Sequence, residues 1–200
     1  DTNGHNMTVY GTTTLTSGTF TNAASNLYFY GALLLNGTAF TAPSGTMNVY
    51  NTFTRTAGTF NHNNGTVYFW ANNTYGITTN NAVFHNVVFA NTYGGDRTIY
   101  LYDSFTVEGD FTFSKPNSYY FGLLDGVSAG NVTVTVNGDL IFTATESHSW
   151  SQLGQDSESG RFTIDLKGNF SMSAVDGDNY CRVNINFIGT GDQTITHTSG

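Results

Sequence analysis

Charge is what this sequence has least of. Its 200 residues hold 6 Lys and Arg against 14 Asp and Glu, a formal net charge of −8. Up to residue 95 the only charged side chains are Asp1 and Arg55. A chain so acidic and base-poor does not neutralise phosphates, which argues against nucleic acid as a partner. It does not favour an anionic membrane surface either. No apolar run reaches the roughly eighteen residues of a spanning helix, so no membrane insertion is expected. Cys181 is the single cysteine, which excludes an internal disulfide and leaves it the expected role of a small buried hydrophobe. Pro43 and Pro116 are the only prolines. No stretch shows apolar residues at helical spacing.

What is present is repetition. In rows of twenty, one block reads His5-Asn6-Met7-Thr8-Val9-Tyr10, and beneath it stands Ser25-Asn26-Leu27-Tyr28-Phe29-Tyr30. Gly45-Thr46-Met47-Asn48-Val49-Tyr50 and Gly65-Thr66-Val67-Tyr68-Phe69-Trp70 follow, then a weaker His85-Asn86-Val87-Val88-Phe89-Ala90. Phe20, Phe40 and Phe60 form a second column. Within each block the apolar residues alternate, which is the period of a strand. Thr, Val, Phe and Tyr suit a pleated surface.

Twenty residues are too few for a propeller blade and show no pattern for a strand–helix repeat. They suit one turn of a parallel β-solenoid, with layers stacked at about 4.8 Å. After about residue 100 the period lengthens. Val107-Glu108-Gly109-Asp110-Phe111 is echoed by Val136-Asn137-Gly138-Asp139-Leu140 and by Leu166-Lys167-Gly168-Asn169-Phe170, at spacings of 29 and 30. The expectation is an all-β parallel β-solenoid forming one continuous domain over 1–200, with regular 20-residue turns over 1–100 and wider turns with loops over 101–200. Loops are expected near Lys115 to Tyr120, Glu146 to Gly160 and Val175 to Tyr180. An antiparallel sandwich is the alternative, but it does not need register kept over four copies. Both ends break off within the pattern, which predicts a segment of a longer repeat protein or a subunit that stacks end to end.

Gly58-Thr59-Phe60-Asn61-His62-Asn63-Asn64-Gly65-Thr66-Val67-Tyr68-Phe69, Phe84-His85-Asn86-Val87-Val88-Phe89 and Val107-Glu108-Gly109-Asp110-Phe111-Thr112-Phe113 resemble repeats of bacterial surface β-helix proteins. These are the haemagglutinin-like and pectin-lyase-like group. The resemblance covers most of the chain and is one of turns and hydrophobics. It implies a secreted parallel solenoid with a structural or adhesive role, and it carries over no catalytic motif.

Candidate sites follow from the columns. Tyr10, Tyr30, Tyr50 and Trp70 each follow an inward residue, and Tyr28 and Tyr68 share the outer side, so they predict an exposed aromatic contact surface. Trp150 stands in an expected loop. Asp176 and Asp178, in an oxygen-rich turn, are weak structural calcium candidates, although no full calcium loop is present. Asp110, Asp139 and Asn169 stack in one column beside Glu108 and Lys167, the only arrangement a polysaccharide-cleaving enzyme could use. Asp and Asn beside Gly are also ordinary turn residues. The histidines His5, His62, His85, His148 and His197 fall in no metal-ligand spacing. Sequons stand at Asn6, Asn36, Asn64, Asn72, Asn131 and Asn169. Outward threonines such as Thr12-Thr13-Thr14 do not recur every turn, which excludes a regular ice-binding face. The function expected is a structural or adhesive extracellular protein, part of a surface fibre, with self-association or neighbouring repeats as partners. It is not expected to be an enzyme or to need a cofactor. The alternative is a module that binds or cleaves carbohydrate.

Overall fold

The computed structural model describes residues 5–22, 26–116, 119–126, 130–144, 151–154, 162–174 and 179–199. Its strands fall into nine layers. Met7–Val9, Thr13–Leu15 and Thr19–Thr21 are β1, β2 and β3 of the first layer. Leu27–Phe29 and Leu33–Thr41 (β4, β5) make the second, and Thr46–Val49 and Phe53–Asn61 (β6, β7) the third. Thr66–Trp70, Tyr75–Thr78 and Val83–Phe84 (β8, β9, β10) make the fourth. Asn86–Ala90, Arg97–Leu101 and Phe105–Val107 (β11, β12, β13) make the fifth. Phe111–Lys115, Phe121–Asp125 and Val132–Val136 (β14, β15, β16) make the sixth. Leu140–Ala144, Ser151–Leu153 and Phe162–Leu166 (β17, β18, β19) make the seventh. Phe170–Ala174, Asn179–Cys181 and Asn184–Phe187 (β20, β21, β22) make the eighth, and Ile195–Ser199 (β23) opens the ninth.

The strands of these layers form three parallel sheets, with sheet C beginning in the fourth layer. Sheet A runs β1-β4-β6-β8-β11-β14-β17-β20-β23, sheet B runs β2-β5-β7-β9-β12-β15-β18-β21, and sheet C runs β10-β13-β16-β19-β22. The chain is therefore a parallel β-solenoid with about 24 residues per turn. The repeat columns are in register, with Leu27 against Met47, Met47 against Val67 and Val67 against Val87. Nine strands at about 4.8 Å give a rod about 40 Å long.

The alternation read from the sequence sets the core. Leu27, Phe29, Met47, Val49, Val67, Phe69, Val87 and Phe89 point inward from sheet A and are buried. Leu33 and Phe53 answer from sheet B, and Phe84, Val107, Val136 and Leu166 from sheet C. Phe20, Phe40 and Phe60 stack face to face, with centroids 5.0 and 5.7 Å apart.

Turn length changes the corner between sheets B and C. In β5 and β7 one nine-residue strand runs around that corner and serves both sides. The bend falls at Gly37 and Gly58, with φ of 110° and 82°. A side chain at Gly58 would meet Thr38 O at 2.2 Å. Only glycine takes both the left-handed backbone and the close approach. From β10 onward sheet C is a separate strand. The loop expected at Lys115 to Tyr120 separates β14 from β15. Those expected at Glu146 to Gly160 and Val175 to Tyr180 lie mostly outside the described residues, and β18 and β21 occupy part of them.

Candidate functional site

The aromatic column is built by register. Val9, Phe29, Val49 and Phe69 are matched across sheet A, so the next residue of each layer lands above its neighbour. Tyr10 stacks on Tyr30 at 5.2 Å, Tyr30 on Tyr50 at 4.4 Å and Tyr50 on Trp70 at 6.0 Å, with ring planes within 11°. Tyr68 lies parallel to Trp70 at 5.2 Å. The column ends at Ala90, the partner of Trp70.

Exposure along this column is uneven. Tyr10 is 79% exposed and Tyr30 37%, but Tyr50 only 9%. Tyr28, Tyr68 and Trp70 are half-buried. Asn48 explains part of this: its Oδ1 accepts from Trp70 Nε1 at 3.0 Å, and its Nδ2 donates to Leu27 O. Burial, then the neighbouring Tyr30, pushes the Tyr50 phenol well above its ordinary range, with Tyr93 and Tyr28 adding to it. Stacked along the rod axis, these rings cover one another's faces and offer their edges to solvent. Among the described residues Tyr10 stacks on one side only.

The acidic column is a ladder. An Asn or Asp just before a sheet A strand, or opening it, accepts a hydrogen bond from the backbone N–H one layer on. Asn6 takes Asn26 N and Asn26 takes Thr46 N, both at 3.0 Å. The pattern resumes where Asn86 Oδ1 takes Asp110 N at 2.9 Å, Asp110 takes Asp139 N at 2.9 Å and Asp139 takes Asn169 N at 2.7 Å. Asn169 then takes Thr194 N at 2.9 Å. Asp139 Oδ1 also accepts from Asn169 Nδ2. Asp110, Asp139 and Asn169 thus stack as the sequence predicts, and their side chains join successive layers. A second charged corner binds both sides of one turn. Asp103 accepts from Thr79 N and Asn80 N, while Arg55 donates to the carbonyls of Thr79, Asn80 and Gly58.

One grouping escapes sequence spacing. The stacked layers place His62 beside His85, with centroids 5.7 Å apart. His62 Nε2 lies 3.2 Å from Glu108 Oε2. These residues sit in different repeat columns, and only stacking brings them together. His5 shares the repeat column of His85 but lies four layers away.

The other candidates scatter. Asn6, Asn36, Asn64 and Asn131 are exposed, and Asn72 and Asn169 half-buried. The side chains of Asn6 and Asn36 accept hydrogen bonds from the next layer, from Asn26 N and Thr56 Oγ1. Trp150, Asp176 and Asp178 lie outside the described residues, as does the side chain of Cys181. Among the described residues, no helix is long and apolar enough to cross a membrane.

No family model, no curated protein and no solved structure matches this chain. The chain is a repetitive, all-β parallel solenoid.

Proposed function

We propose that this chain is a structural or adhesive rod, a segment or subunit of an extracellular or cell-surface fibre of the haemagglutinin-like kind. The observation that carries this reading is the Asn and Asp ladder. The carboxylates most suited to chemistry, Asp110 and Asp139, each hold the next layer's backbone N–H. That is work for an elongated scaffold, where each layer is stable only against its neighbours. Partners are further copies or neighbouring repeats, met through the exposed edges of Tyr10 and Tyr30.

The carbohydrate alternative has less support. Sugar rings pack on open aromatic faces, and here the rings face one another. Cryo-electron microscopy of the chain tests the proposal. Filaments or laterally paired rods that disperse in a Tyr10→Ser, Tyr30→Ser variant are expected. Single rods at high concentration, unchanged by that variant, would overturn it.

A further inference from the structure

The corner between sheets C and A joins three residues, one from each of three successive layers. One ring nitrogen from His62, one from His85 and a carboxylate oxygen of Glu108 all lie within 4.8 Å of one another. We propose that this corner binds a divalent transition-metal ion, with zinc as the reference ion.

The donor set selects the metal class. Two imidazoles and one carboxylate suit zinc, nickel or copper, whereas calcium and magnesium take oxygen donors. The 3.2 Å between His62 Nε2 and Glu108 Oε2 suits two ligands each about 2.0–2.1 Å from one tetrahedral ion. Glu108 is 49% exposed, so its carboxylate has room to turn toward the histidines. Three protein ligands leave a position for water, as in open zinc sites.

A leftover polar atom strengthens the assignment. His85 Nδ1 is buried with no hydrogen-bond partner among the described residues, and so is Asn137 Oδ1. Asn137 directly follows Val136, the register partner of Val107, so it stands one layer beyond Glu108. Buried polar atoms without partners are rare in folded chains. A cation at this corner gives His85 Nδ1 something to engage.

Metal binding also has a chemical consequence at His62. Its Nδ1 accepts from Asn64 N at 3.0 Å, so in the neutral ring the proton is on Nε2, which lies 3.2 Å from Glu108 Oε2. A metal on Nε2 moves that proton to Nδ1 and displaces the Asn64 hydrogen bond. The bond lost belongs to an exposed turn in which Asn63 and Asn64 both have positive φ.

The test uses chelator-treated chain without added histidines, titrated with zinc ion alone by calorimetry. One equivalent is expected to bind. The melting temperature should rise by about 5–10 °C at a hundredfold excess over Kd. His62→Gln, His85→Gln and Glu108→Gln should each weaken binding at least about tenfold, the loss of roughly one ligand contact, and His5→Gln should leave it unchanged. Metal-free melts separate loss of the site from loss of the fold, and Glu108→Gln, at a half-exposed position, carries the test if a histidine variant folds poorly. Nitrogen-15 spectra should show His62 change from the Nε2–H to the Nδ1–H tautomer. No binding at millimolar zinc, equal binding in all three variants, or an unchanged His62 tautomer at saturation would each overturn the proposal.

Discussion

The two halves of the rod turn their corners differently. In the second and third layers the turn is 20 residues long, and one strand bends through Gly37 and Gly58 where backbone meets backbone. From the fifth layer the steps between matched corner residues widen to 24, 29, 30 and 25. There separate strands and loops replace the bend. At the corner between sheets B and C the narrow turns therefore depend on the absence of side chains, while before sheet A Asn and Asp side chains bond successive layers in both halves. Sheet A, continuous through both halves, lets the two styles share one core.

The largest expected effect lies where the narrow half is most crowded. Phe53 meets Phe60, Phe69 and Phe84 edge to face. Phe53→Ala should cost about 3–5 kcal/mol in chemical denaturation. A loss under about 1 kcal/mol would mean that the core is looser than described. Glycine sharpens the contrast between halves. Gly58→Ala combines left-handed backbone with a blocked approach and should cost more than about 2 kcal/mol. Gly130→Ala, at φ 65° with nothing within 4 Å, should cost only the backbone term of about 1 kcal/mol. Equal losses would erase the distinction between the corners.

The ladder gives the reverse ranking. Asp139→Ala removes the acceptor for two hydrogen bonds in the wide half and should cost about 1–2 kcal/mol. Asn26→Ala removes one in the narrow half and should cost about 1 kcal/mol. The smallest effect concerns pH. Burial pushes the Tyr75 phenol well above its usual range, while its hydroxyl donates to Trp70 O at 3.1 Å. A folded pKa above the unfolded value means that the folded chain keeps the proton longer. Stability should therefore be fully present below about pH 10 and fall as pH rises above it. Tyr75→Phe should flatten part of that fall, as urea midpoints at pH 8 and 11 would show.

Much of this was legible in the sequence. Columns repeating at a strict interval have one simple physical cause, the stacking of like residues in register, so the phenylalanine ladder and the paired corners at Asp110, Asp139 and Asn169 could be placed before any coordinates. The burial of Tyr50 could not, because it depends on Asn48 anchoring Trp70 from the layer above. The meeting of His62 with His85 and Glu108 was hidden too. Repeat alignment compares equivalent positions, and these three are not equivalent. Nor could spacing reveal that one strand would run around a corner, since a glycine between two extended runs reads equally well as a break.

Every strand pairing in the described rod is parallel, which gives the molecule a direction. The edge presented by β1 differs from that presented by β23, so the two cannot be exchanged by a twofold axis. Joining β1 of one copy to β23 of the next is head to tail, a contact that does not close on itself and propagates as an open line, whereas β1 against β1 about a twofold axis is antiparallel and stops at two. Side-by-side pairing of two copies about a twofold axis perpendicular to the rod would instead set their directions opposed and stop at two. An open line of copies would mark the head-to-tail contact.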